Sequence, residues 1–160
     1  MKHLSSFLFG FCLCLSSLIG QNAYFLPLGE GQQPGIDSLN RLGVATAQLQ
    51  VYPTEVIYAH HGATFLYQYS ATKELQAICM NRRFDKWGPT QDAMNSCLTY
   101  FRGLRIQEVT NHASGQSRHY VWLDTSLNQR FEMKVLPLGK RQFLIQLSRR
   151  QASEVQLANQ

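Results

Sequence analysis

The chain has no tract of lysine and arginine, no Gly-x-Ser-x-Gly turn and no Cys-x-x-Cys pair. Charged residues make up only 16% of it, and the formal net charge is +5. Without a basic tract, so weak a bias excludes the electrostatic footprint of a nucleic-acid binder. It remains compatible with a partner of acidic character. The missing serine turn removes one common nucleophile arrangement. The ten acids, Asp37, Glu55, Asp92 and Asp124 among them, show no spacing that singles out an acid/base pair, so no catalytic residue is assigned. Cofactor motifs are absent as well, and none is expected to be bound. Beyond residue 19 no apolar run approaches the roughly 20 residues that a membrane-spanning helix needs.

What is present begins at the N-terminus. Met1-Lys2-His3 is a short basic start, and Leu4 to Ile19 is an uncharged apolar run broken by serines and Gly10. Gly20-Gln21-Asn22 then ends the hydrophobicity. This layout is that of a secretory signal peptide over residues 1–20, cleaved after Gly20 or, alternatively, after Ala23. Cys12 and Cys14 follow Phe11 and Leu13, bulky residues that do not suit lipid attachment, so both are taken as small apolar members of the signal. The mature protein is therefore expected to be exported, periplasmic or secreted. Loss of Lys2 lowers its formal charge to +4. About 140 residues remain, enough for one domain with a real core.

Two cysteines survive cleavage, Cys79 and Cys97. An even count in an oxidising compartment predicts a Cys79–Cys97 disulfide. In the chain-entropy account such a bridge stabilises by about 3 kcal/mol.

Residues 21–35, rich in Gly, Gln and Pro, show no period and are expected to form a flexible leader. Ile36 to Leu42 could make one or two helical turns before Gly43. Glu55–His60 favours a strand, His61-Gly62 a turn, and Ala63–Ser70 alternates with Phe65, Tyr67 and Tyr69 on one face. Leu75–Arg83 returns, with Leu75, Ala77 and Cys79 expected on one side and Ile78 and Met80 on the other. Pro89 fits a first helical turn, and Met94, Cys97, Leu98, Phe101 and Leu104 recur at threes and fours, the stripe of an amphipathic helix. A run of hairpins follows: Arg105–His112, His119–Asp124, Gln129–Leu136 and a last strand carrying Phe143, Ile145 and Leu147. Together these predict a single α+β domain over residues 36–150, with a polar tail at 151–160. Its antiparallel sheet is expected to have about five to six strands (hairpin, one main helix, then a meander), with the helix packed on one face.

Few side chains suggest chemistry. His60 and His61 are adjacent, so on a strand they point to opposite faces, an objection that weakens in a turn. A hairpin through Gly115 could set His112 across from His119, with Glu108 as the nearest third ligand, but the set does not match familiar zinc patterns and no metal is predicted. Arg82, Arg83 and Lys86, with Arg102 and Arg105 at the helix end and Trp87 and Tyr100 beside them, form the candidate surface for a partner or an anion. Cations at a helix C-terminus also favour its dipole without any partner. The resulting expectation is an exported non-catalytic module that binds a protein or envelope component. The alternatives are a small exported hydrolase or metal-dependent enzyme using His112 and His119, or an inhibitor of another exported enzyme.

Overall fold

The computed structural model describes residues 24–104 and 106–152. The proposed signal with Cys12, Cys14 and both cleavage sites, Arg105, and the tail from residue 153 onward lie outside the described residues. The elements are α1 (Gln32–Arg41), a 3-10 turn (Thr46–Gln48), β1 (Leu49–Val51), β2 (Glu55–His60), β3 (Ala63–Tyr69), β4 (Leu75–Phe84), α2 (Trp87–Gly103), β5 (Gln107–Ser114), β6 (Ser117–Asp124), β7 (Gln129–Pro137) and β8 (Phe143–Gln151). The class is α+β, and the strands form one antiparallel sheet in the order β1-β2-β3-β4-β8-β7-β6-β5.

The sheet has eight strands, not the expected five to six. β1 is three residues long, too short to show a period, and in β5 hardly any residue is buried, so no apolar alternation marks it. Two four-stranded meanders, one on each side of α2 in the chain, join where β4 pairs with β8 from Ala77↔Arg150 to Phe84↔Phe143. The chain must therefore cross from β4 over β8, β7 and β6 to the far edge, roughly 19 Å at the usual strand spacing. A helix of 17 residues covers about 26 Å and can carry it there.

Strand alternation sorts the side chains into two faces. Phe65, Met80, Leu147, Met133 and Tyr120 are cross-strand neighbours in one buried row, and Tyr67, Ile78, Arg149, Phe131 and Trp122 form the next. The buried side chains of both helices, Ile36 and Leu39 from α1 and Ala93, Met94, Cys97, Leu98 and Phe101 from α2, belong to the same apolar cluster. Phe101 stacks on Trp122 with ring centroids 4.5 Å apart, and it meets Phe131 at 5.5 Å. The alternate residues, Cys79, Asn81, Gln146, Ser148, Glu132, Lys134 and His119, lie on the other face, partly exposed.

That sorting overturns the expected disulfide. Cys79 is a free thiol, flanked across the sheet by Leu66 and Ser148, while Cys97 is fully buried in the apolar cluster on the opposite side. Burial raises the Cys79 thiol above its ordinary pKa, against a hydrogen bond with Gln146 that lowers it. The expected grouping of Leu75 with Ala77 and Cys79 also fails. A register shift pairs Tyr69 with Leu75 but Gln68 with Ala77, so one extra residue turns Leu75 to the apolar side with Ile78.

The expected flexible leader is corrected for residues 24–35. Tyr24 and Leu26 are buried in the cluster. Arg149 Nη1 donates to the carbonyls of Tyr24 (3.3 Å) and Leu26 (2.8 Å), and its guanidinium lies 5.7 Å from the Phe25 ring. Main-chain bonds between Gly29 and Leu75, and between Gln32 and Lys73, hold the next residues to the start of β4. α1 starts at Gln32, inside the segment read as leader, with Pro34 in its first turn, where a missing N–H is harmless. α2 likewise begins at Trp87, two residues before Pro89.

Candidate functional site

The seven-residue basic and aromatic surface does not come together as one patch. Strand alternation sends Arg82 and Arg83 to opposite faces. Arg82 lies 5.1 Å from the Phe84 ring, whereas Arg83 borders a cleft with Gly62, Thr64, Asn81 and Leu144. Lys86 and Trp87 stand at the start of α2, and Tyr100 and Arg102 in its last turns, a helix length away. Arg105 lies outside the described residues.

Lys86 and Trp87 instead join residues that sequence reasoning missed. With Asp85, Gln116, Lys140, Arg141 and Phe143 they line a cleft of about 360 Å³. Three separate turns meet here: the β4–α2 junction, the β5–β6 turn and the β7–β8 turn. Trp87 packs on Phe143 with centroids 5.1 Å apart at 57°, and the Arg118 guanidinium lies 5.8 Å from the Trp87 ring. Lys140 and Arg141 lie between β7 and β8, and nothing local in the sequence links them to Lys86.

A smaller cleft of about 180 Å³ opens beside β5, lined by His112, Ser117, Arg118, His119, Lys134 and Leu136. His112 and His119 are direct cross-strand partners. Glu108 does not join them. A register shift between Glu108 and Thr110 pairs Glu108 with Trp122, on the face opposite His112, where it accepts a hydrogen bond from Asn111 Nδ2 at 3.0 Å. The carboxylate that does reach His119 is Glu132. Its Oε1 accepts from His119 Nε2 at 2.6 Å and from Lys134 Nζ at 2.9 Å, with Arg130 at 3.7 Å from Oε2. Burial raises the Glu132 pKa, but those hydrogen bonds and the charges of Lys134 and Arg130 outweigh it and hold the carboxyl below its ordinary value. The signal for Glu132 was its outward parity on β7. The missing link was the β6–β7 register, which Asp124 helps to fix by accepting from the Ser126 and Leu127 N–H groups in the turn.

His60 and His61 meet at the β2–β3 turn with ring centroids 4.0 Å apart, because His61 (φ +46°) and Gly62 (φ +76°) take the left-handed conformations of a two-residue hairpin turn. Burial, and then the charge of His61, lower the His60 pKa. Among the described residues no group of three His, Cys, Asp or Glu could hold a metal, and no helix is long and apolar enough to cross a membrane.

β5 differs from every other strand. Seven of its eight residues are exposed, and as the last strand of the sheet it has, among the described residues, no strand on its outer side. The opposite edge is guarded. β1 has only three residues, and the Gln32 side chain donates to the Tyr52 carbonyl and Lys73 to that of Pro53 just beyond it. No family model, curated protein or solved structure matches this chain.

Proposed function

We propose that this chain is an exported, non-catalytic binding module whose partner is a protein that adds an extended, acidic segment to the outer edge of β5. The observation that carries the reading is the contrast between the two edges of the sheet. Natural sheets guard their edges with short strands, lysine, proline or β-bulges. β1 follows that rule, whereas β5 is eight residues long, contains neither lysine nor proline, and is regular from Thr110 to Ser114 once past the register shift at Glu108. An open edge of this kind suits strand addition, in which main-chain hydrogen bonds give affinity and flanking side chains give choice. The flank supplies the charge preference. His112, Arg118, His119 and Lys134 border the cleft beside β5; Glu132 engages His119 and Lys134, which leaves His112 and Arg118 to meet an acidic segment. In this reading the helices cover one face of the sheet, as the stacking of Phe101 on Trp122 supports, and the N-terminal signal delivers the domain to an envelope or extracellular partner.

The test uses a ten-residue peptide of alternating valine and glutamate, titrated into isotopically labelled protein. Saturable amide shifts confined to residues 107–114 and the adjoining cleft are expected. Slower hydrogen exchange of the outward β5 amides and weaker binding in His112→Glu should accompany them. A matching valine–lysine peptide that binds as well, or shifts centred elsewhere, would overturn the reading.

A further inference from the structure

We propose that the cleft between Trp87, Gln116 and the β7–β8 turn is a second site, which takes a small organic anion: a carboxylate or phosphate group borne on a planar, apolar body. Its volume of about 360 Å³ falls at the lower end of the range typical of small-molecule pockets, about 300–1,000 Å³. The lining pairs the two features such a ligand needs. Phe143 and Trp87 provide aromatic surface, and the Arg118 guanidinium lies over the Trp87 ring. Lys86, Lys140 and Arg141 supply three cations against the single carboxylate of Asp85. None of those three cations forms an ion pair among the described residues. Positive charge here is therefore in excess, and Arg141 can offer the planar fork that matches an oxyanion while the lysines act as point charges. Gln116 adds an amide able to donate or accept. The site shares no cation with the β5 reading apart from Arg118, which faces Trp87, so the two stand or fall separately.

The experiment titrates intact protein with phenyl phosphate and follows the Trp87 indole N–H resonance. Saturable shifts at Trp87 and Gln116 are expected, with inorganic phosphate weaker because it lacks the ring. The Lys140→Gln/Arg141→Gln variant should weaken binding by about tenfold or more, since charge-assisted hydrogen bonds are lost. Both side chains are exposed, so the variant should fold normally, and His112→Glu should leave the affinity unchanged. No saturable shift, or an unchanged affinity in the double variant, would overturn the assignment. Binding seen with phosphatidylglycerol vesicles but not with phenyl phosphate would overturn it too, since a headgroup alone would then suffice.

Discussion

Arg149 shows how one side chain can tie a chain end to a sheet. Alternation along β8 points it to the apolar side, between Ile78 and Phe131, where a charge is costly unless its donors are used. They are used: Nη1 serves the carbonyls of Tyr24 and Leu26, Nε serves Gln129 Oε1 at 2.9 Å, and the guanidinium faces the Phe25 ring. Burial lowers its pKa, although the neighbouring Tyr24 and Tyr100 hydroxyls oppose that. Arg149→Met should fill similar volume yet strand those acceptors, at about 2–4 kcal/mol. Urea unfolding measures the loss, and limited proteolysis should find new cuts near residues 24–30. Cys79 carries the opposite expectation. As a free, half-buried thiol it should accept serine at within about 1 kcal/mol. A fall in melting temperature as large as that from losing a crosslink would contradict its place on the polar face.

At the scale of elements, a short contact decides what α1 tolerates. A Cβ built on Gly35 would lie 2.6 Å from the Tyr69 hydroxyl, and that hydroxyl is buried without a hydrogen-bond partner. Gly35→Ala should gain about 1 kcal/mol of helix propensity, yet the clash must move α1 off β3 or Tyr69 off its rotamer at about 1–3 kcal/mol. A net loss is expected in thermal melts. Tyr69→Phe removes the obstructing oxygen, so the double variant should be more stable than Gly35→Ala alone. Additive effects would show that the helix and strand are not in this contact. Elements of this kind differ in how plainly the sequence announces them. The alternation of Phe131, Met133 and Val135 and the stripe of Met94, Cys97, Leu98 and Phe101 marked β7 and α2 because each buries one face. α1 was seen only in part, since Gln32 to Gly35 carry no apolar period and are held by main-chain bonds instead.

At the scale of the molecule, what the sequence hid was long-range. Hairpins follow from alternation and turn residues, but the pairing of β4 with β8 depends on neither, and it decides which meander edges remain open. The candidate surface failed for the same reason: Lys86 meets Lys140 across the sheet end, not along the chain. Register shifts, as at Glu108, defeat parity one residue at a time. The assembled sheet also sets how the whole fold answers to acid. His60 has a folded pKa below its ordinary 6.5. The unfolded chain therefore binds more protons there, and stability falls as pH drops below 6.5 toward the folded value. Glu132 on β7, facing Lys134, His119 and Arg130, has a folded pKa below its ordinary 4.5. Its contribution is full above 4.5 and is lost as pH falls through the lowered value. Stability should thus decline in two stages on acidification, seen as melting temperature against pH. Glu132→Gln should cost about 1 kcal/mol at pH 7 and flatten the lower stage, while His60→Gln should flatten the upper one. A profile in Glu132→Gln that still drops below pH 4.5 as steeply as the wild type would assign that stage to other carboxylates and leave the Glu132 cluster without its stabilising role.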